Sequence, residues 1–547
     1  MTAPKNDNTL WRQVQRILPT VVKPGRYVGG ELNQVVKAWD SVRTHIALVF
    51  PDIYDLGQSN LGLALLYDIL NQREDLAAER AFAPWTDMEA ALREAGLPLY
   101  SLENKRALPD FDLIGFSLPY ETLYTNFLNI LDLAGLPLLS RDRENQHPLI
   151  LGGGQAAFNP EPVAAFVDAF VIGEGEAAIL EVVDSLQASQ EAGEERPALL
   201  VRLASIPGVY VPALYDVSYH PDGTVDRIAP NHPAAPLPIH KRIMARLPEP
   251  LTNFLVPNVE TVQERVSVEI MRGCTRGCRF CHAGMVNRPI RERPVPEILQ
   301  ALKTGLDKTG YEEVSLLSLS SSDHSRIVPL IQGLRALLCE RQVNITLPSL
   351  RIESFTEAIM DELEALSPGG GFTLAPEAGT ERLRRIINKP ISDAELMDTI
   401  RSVFQHGWKT IKLYFMIGHP QETLEDVAAI AALSKAALAE GRRIAGGRAR
   451  IHLGVSTFIP KPHTPFQWVP FEGLDSIEEK ISRLHEDLRG AKIKMTWNDP
   501  QASLLEAWLS RGDRRLAQVV HQAWENGARF DAWSDQLNPD HWKAAFA

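Results

Sequence analysis

MRGCTRGCRFCHAGMVNRPIRERP, residues 271–294, gathers three of the chain's four cysteines into eight positions and surrounds them with arginines. The spacing is Cys274-x3-Cys278-x2-Cys281. A tight thiol cluster in a cysteine-poor chain reads as metal binding or redox chemistry, not as a disulfide framework. A structural zinc site wants four closed ligands. His282 adjoins Cys281 and is poorly placed for the same ion. Cys339 stands in the apolar segment LIQGLRALLCERQ, where a buried free thiol is common. An iron–sulfur cluster normally takes four cysteines. Three on one short loop leave one iron without a protein ligand, open to a small molecule.

The run follows the strand candidate RVSVEIM, which opens an alternating series. EVSLLSLS, NITLPSLR, GGFTLAPEAG, TIKLYFMIG and IHLGVSTFIP are further strand candidates, with helical segments between most of them. Six strands in βα repeats predict a barrel or partial (β/α)6 barrel over residues 251–473, with its chemistry at the strand C-termini. The cysteines would occupy that face.

Upstream, residues 41–190 predict a second α/β unit. HIALVFPD, FDLIGFSLP, PLILGGG and DAFVIGEGE read as buried strands, two of them ending in glycine, with helical segments such as NLGLALLYDILNQRE between them. That pattern predicts a doubly wound parallel sheet, whose ligands sit beyond the strand carboxyl ends. Asp52, Tyr54, Gly57, Ser117 and Gly152 to Gly154 should fall there. Residues 1–40 are a preamble containing the glycine-rich KPGRYVGGELN. Residues 191–250 are a proline-rich connector with short strands, and 474–547 are expected to form a tryptophan-rich helical cap.

The chain has 547 residues, enough for several domains, and a formal net charge of −13, which does not indicate a broad nucleic-acid face. No run of about eighteen apolar residues appears, and MTAPKNDNTLWRQ lacks the layout of a secretory signal, so the expected location is the cytoplasm.

The cysteine run, with Phe280 before the third cysteine, resembles the signature of radical SAM enzymes. The resemblance implies a 4Fe–4S cluster on Cys274, Cys278 and Cys281, with S-adenosylmethionine (SAM) on the open iron. It also implies reductive cleavage to a 5′-deoxyadenosyl radical that abstracts hydrogen from a substrate. An electron donor such as flavodoxin or ferredoxin is implied as a partner. LYFMIGHPQET resembles the fifth-strand segment that lies against the adenosine, through Gly418, Pro420 and Glu422. APEAGTERLRRIINK resembles the fourth-strand segment, with Glu377 facing the ribose or amino group. FIPKPHTPFQW resembles the sixth-strand end of methylthiotransferases and cobalamin-dependent relatives. The family's second-strand GGE is absent. LSLSSSDHS stands there, leaving Ser320, Ser321, Ser322 and Asp323 as substitutes. Six arginines between 272 and 293 face one acid, Glu292, a balance that favours a reduced, anionic cluster. An anionic substrate or a reductase docking face are the other readings of those arginines.

A sheet domain ahead of such a barrel resembles the cobalamin-dependent class. Asp52, Tyr54 and Gly57 match its Asp-x-His-x-x-Gly motif except that tyrosine replaces the cobalt-ligating histidine; Gly152 and Gly153 match its glycine pair. Either cobalamin binds without a protein ligand to cobalt, with methyl transfer as an outcome, or the domain now serves substrate or packing. GRYVGGELN, PDIYDLG, IPGVYVP and the SRGDRRL…AWENGARFDAW tail extend the likeness to a bacterial family of radical SAM proteins with a B12-binding-like domain, which brings no established substrate. RNA modification is a rival, although the second cluster of methylthiotransferases needs three N-terminal cysteines and none precedes Cys274. A non-catalytic iron–sulfur electron-transfer protein and a zinc module are the others.

Overall fold

The computed structural model describes residues 9–339, 341, 343–346, 360–362 and 371–547. The chain divides into two compact units, residues 1–264 with 512–547, and residues 265–511.

The first unit is built on β1 (Thr44–Phe50), β2 (Leu76–Phe82), β3 (Leu113–Ser117), β4 (Leu149–Gly153), β5 (Ala169–Val171) and β6 (Val209–Tyr210), in the order β2-β1-β3-β4-β5-β6. The first five run parallel and β6 is antiparallel to β5. The order reverses at β1, so the β1/β3 boundary is the topological switch point. β2 is an edge strand yet buried throughout, because the preamble and residues 101–107 cover it. Lys37 Nζ donates to the carbonyls of Arg73 and Leu76, and Leu102 N donates to Arg80 O. Arg80, 1% exposed, bridges Glu31 at 3.0 Å and Glu103 at 2.7 Å and donates to Gln58 at 2.6 Å. The glycine-rich preamble is thus a structural strap.

The connector holds the helix Arg196–Ala204 and an antiparallel hairpin of β7 (Tyr215–Tyr219) and β8 (Val225–Pro230). The expected cap at 474–547 does not form one body. Leu474–Asp487, a short strand and Pro500–Arg511 belong to the second unit, while Leu516–Glu525 and Pro539–Phe546 belong to the first. The tail is drawn to the first sheet by buried polar contacts: Asp531 accepts from Thr125 Oγ1 at 2.6 Å and from Trp542 Nε1 at 3.0 Å.

In the second unit β9 (Val266–Glu269) leads into β10 (Met271–Arg272), which pairs with β11 (Arg291–Glu292) and closes the cysteine run into a loop. β12 (Glu313–Leu317) lies between β9 and β13 (Asn344–Thr346), all parallel. The remainder of NITLPSLR lies outside the described residues. β14 (Gly371–Glu377), β15 (Thr410–Ile417), β16 (Arg450–Thr457) and β17 (Lys494–Trp497) form a second parallel sheet in chain order. All six expected strands are present. β17 is additional; its four residues are mostly exposed and carry little periodic signal. Among the described residues these strands fall into a three-stranded and a four-stranded parallel sheet beside the β10/β11 pair.

β15 and β16 alternate strictly in burial. Ile411, Leu413, Phe415, Ile451, Leu453 and Val455 form the buried face, while Lys412, Tyr414, His452 and Ser456 lie on the other, where Tyr414 is 46% exposed. Gly454 lets the Tyr414 ring lie across its neighbour, since a Cβ there would stand 2.7 Å from it. A sheet with one aliphatic and one accessible polar face suits a wall around an open space.

Arg80→Met should destabilise the first unit by about 3–5 kcal/mol, because Glu31 and Glu103 would remain buried without their counter-charge. Urea unfolding followed by tryptophan fluorescence would measure it.

Candidate functional site

The cysteine loop is held against the C-terminal ends of four strands. After β12, Asp323 accepts from Arg276 at 2.8 and 3.2 Å. After β14, Ile387 O accepts from Arg279 N at 2.9 Å, and Asn388 Nδ2 donates to Gly277 O at 2.9 Å and Arg276 O at 3.3 Å. After β15, the His419 ring lies 6.2 Å from that of Phe280. After β16, Phe466 N donates to Arg279 O at 3.2 Å. Phe280 and Phe466 also pack on the small core of Ala378, Leu383 and Ile387.

Cys274 is buried, and Cys278 and Cys281 are half-buried. Cys281 caps the helix His282–Val286, its sulfur accepting from Gly284 N at 3.3 Å. Burial, then the nearby Cys274 and Glu377 charges, push the Cys281 thiol up; the Gly284 amide and Lys389 oppose them. Thiolates sharing one zinc would stand about 3.8 Å apart, given a Zn–S bond of about 2.3 Å. Among the described residues no three His, Cys, Asp or Glu side chains converge in that way. Three cysteines on one loop match a cluster with one open iron and fall short of the four closed ligands of a structural zinc. Cys339 is exposed at its helix end, not buried as its apolar segment suggested.

Glu377 ends β14 with φ +70° beside a register shift. Asn388, Gln421 and His463, at φ +59°, +62° and +60°, are likewise left-handed in the segments after β14, β15 and β16. Non-glycine residues in this region cost about 1–3 kcal/mol each and cluster at functional sites. Glu377 accepts from Lys389 Nζ at 3.1 Å, the two side chains being 17% and 13% exposed. Lys389 was not singled out from sequence, since nothing in RRIINK separates it from a solvated base. Ser320, Ser321 and Ser322 are buried. Ser320 Oγ donates to Asp323 at 2.7 Å, and Ser321 Oγ lies 2.9 Å from Ser318 Oγ. Ser320 thus braces the carboxylate that meets Arg276. Gly418, at φ +86°, gives its amide to Glu422 at 2.7 Å, and a Cβ would come within 2.9 Å of Ile477, so its glycine serves the turn and its packing. Pro420 follows in the same turn. Glu422 is held by Lys480 at 2.8 Å, and burial pushes its carboxyl up to about 7.

His419, also missed, is 3% exposed. Its Nε2 lies 3.4 Å from Glu377 O, and Nδ1 has no partner among the described residues. Burial lowers its pKa to about 4.

Asp52, Tyr54 and Gly57 follow β1 at the switch point and are committed to packing. Asp52 is fully buried, accepting from Ile53 N at 2.7 Å, Trp533 Nε1 at 3.0 Å and Tyr120 OH at 3.2 Å. Trp85 packs on Phe530 and Trp533 at 4.8 and 5.4 Å. Tyr54, 2% exposed, donates to Glu31 at 3.0 Å and packs edge-on against Phe82. It is not presented as a metal ligand. A Cβ at Gly57 would stand 2.4 Å from Phe82, and one at Gly152 would stand 2.7 Å from Phe170, so both serve close packing; Gly153 faces open space.

Residues 62–212 match the family model of radical SAM proteins, N-terminal, and residues 268–433 match that of the radical SAM superfamily. The chain thus carries a radical SAM domain, which implies an enzyme that works with a 4Fe–4S cluster and SAM. An uncharacterized protein of Methanocaldococcus jannaschii is 27% identical over 486 residues, 87% of this chain and 90% of that one. The ribosomal protein uS12 methylthiotransferase RimO of Desulfotalea psychrophila is 24% identical over 41% of this chain, which spans 49% of its length. The fold resembles the radical SAM methyltransferase TsrM from Kitasatospora setae, solved with cobalamin and a [4Fe-4S] cluster (TM-score 0.56, 14% identity, 88% of this chain and 100% of that one). It also resembles the cobalamin-dependent enzyme OxsB (TM-score 0.51, 12% identity, 92% and 70%). No helix among the described residues is long and apolar enough to cross a membrane.

A histidine whose folded-state pKa is lowered contributes stability that is present above its unfolded pKa of about 6.5 and lost as pH falls towards about 4. His419→Phe should therefore remove up to about 3 kcal/mol of the fall in unfolding free energy across that window. Urea midpoints of wild type and variant at pH 7.5 and pH 4.5 would measure it.

Proposed function

We propose that Cys274, Cys278 and Cys281 hold the cluster, and that SAM occupies the space they share with Glu377, Lys389 and the β15 turn. The chain then starts hydrogen abstraction on its substrate. The observation that carries this reading is the fastening of one three-cysteine loop to the ends of β12, β14, β15 and β16. When bound, the cluster supplies the electron that cleaves SAM to a 5′-deoxyadenosyl radical. The protein's own groups do the rest. Phe280 and the His419 turn shield the loop. Glu377, held in a strained conformation, offers a carboxylate to an ammonium or ribose hydroxyl. The serine–Asp323 brace keeps the loop in place through Arg276.

Cobalamin-dependent methyl transfer is a second reading, favoured by the likeness to proteins solved with cobalamin and by open space at Gly153. A corrin with a protein ligand on cobalt does not fit, because the position of that ligand is the buried Tyr54. RNA as substrate draws on the methylthiotransferase relatives alone.

Anaerobic reconstitution with iron and sulfide, then SAM and dithionite, should yield 5′-deoxyadenosine. Cys278→Ala should lower it by at least about 100-fold, as expected when the reacting group is lost. Glu377→Gln should weaken SAM binding by about tenfold, roughly 1.4 kcal/mol. A fully loaded wild-type cluster that forms no deoxyadenosine would favour an electron-transfer role instead. Hydroxocobalamin retained through gel filtration would support the second reading.

A further inference from the structure

A net charge of −13 conceals a local excess of the opposite sign. Residues 406–412, 442–452 and 489–494 lead into β15, β16 and β17 and lie together at the N-terminal ends of those strands. They hold nine lysines and arginines and no acidic residue. All nine are exposed. Arg442 and Arg443 occupy the last turn of the helix Leu424–Ala445, where a cation offsets the helix dipole, and Arg443 pairs with Glu440 at 2.8 Å. That account does not reach Lys409, Lys412, Lys492 and Lys494. The influence of a helix dipole fades within the last turn, and these four make no ion pair among the described residues.

Strand register gathers part of this charge on the accessible face of the sheet. Lys412, His452 and Lys494 are partners across three adjacent strands, with Thr373 beside Lys412 on β14. Neighbouring strands lie about 4.8 Å apart, so the backbones of the two lysines stand about 10 Å apart with the histidine between them. Arg450 precedes His452 by two residues and shares its face. The next position along β15 on this face is Tyr414, 46% exposed, with its ring across Gly454. Cations that track phosphates beside an exposed aromatic ring are the two parts of a platform for single-stranded nucleic acid.

Two other anionic partners fit this face less well. A reductase must approach the cysteine loop, which is fastened to the opposite ends of these strands, about 26 Å away along the eight residues of β15. A membrane surface requires apolar groups that insert beside the cations, and no aliphatic side chain in the three segments is exposed. The exposed hydroxyl of Thr373 beside the row suits the 2′-hydroxyl that distinguishes RNA.

We propose that the accessible face of β14, β15, β16 and β17 docks single-stranded RNA. Phosphates lie along Lys412, Lys494 and Arg450, and one base stacks on Tyr414. The surface is separate from the SAM site, and no reaction is assigned to the bound RNA.

The test is fluorescence anisotropy of a labelled oligouridylate of about 20 nucleotides, titrated with the cluster-loaded full chain. Three neutralised phosphates give a slope of about −2 in log K against log salt, so affinity should fall about twentyfold between about 50 and 200 mM. Lys412→Glu combined with Lys494→Glu should weaken binding at least about tenfold and flatten that slope. Tyr414→Ala should weaken it about tenfold and leave the slope unchanged. These side chains are exposed, so the melting temperature should not move. Lys303→Glu combined with Lys435→Glu, on exposed helix positions of the same unit, makes the same change in net charge and should leave binding within about twofold. The proposal is overturned by no binding at about 50 mM salt, by binding that the Lys412 and Lys494 reversals leave untouched, or by an equal loss in the control pair. Equal affinity for the matching deoxyuridylate would overturn it in favour of DNA. Retention on phosphatidylserine vesicles without RNA binding would overturn it in favour of a membrane. Deoxyadenosine formation reads the other ends of these strands and does not bear on these outcomes.

Discussion

The second unit depends on how a loop of three thiols is kept in place while part of it stays accessible. The fastening is mostly backbone. Arg279 gives its amide to Ile387 and takes one from Phe466, and the Asn388 amide group spans Arg276 and Gly277. Those partners come from segments after two different strands, so the loop is stationary only while both strands keep their register. The left-handed residues at 377, 388, 421 and 463 mark where chain direction is bent to bring these partners together. Such conformations persist only where surrounding contacts over-determine them.

A different constraint governs the first unit. Its charges are buried in chains: Arg80 between Glu31 and Glu103, and Asp168 between Arg143 and Arg196. These link segments distant in sequence that aliphatic packing alone would not orient. The first arrangement turns a glycine-rich preamble into a strap and closes Tyr54 beneath it. The second ties the segment before β5 to the 144–148 loop and the helix Arg196–Ala204. The C-terminal tail joins the same economy, because Trp533 and Asp531 find their partners in Asp52 and Thr125.

Much of the site was readable from residues alone because it is local. The cysteine spacing, the strand before it and the six strand candidates lie in continuous segments whose periodicity is visible. Lys389 and His419 were not readable in that way. Their significance lies in Glu377, a partner 12 and 42 residues away, and neither sits in a pattern that separates it from an ordinary base or turn residue. The tail failed differently. Its helices were evident, but helical periodicity reports a buried face and not the surface that covers it, so one expected cap is shared between two units.

By itself, then, the sequence determined the thiol spacing of the loop between β10 and β11 and the two α/β series, since both are encoded by short-range spacing and alternation. The tertiary structure decided which glycines and tyrosines remain near open space. The motif at Asp52, Tyr54 and Gly57 resembles a ligand site in one dimension, yet Phe82, Glu31 and Trp533 close upon it in three. The physical reason is that burial and charge pairing are properties of neighbours in space, and those neighbours come from strands, straps and tails hundreds of residues apart.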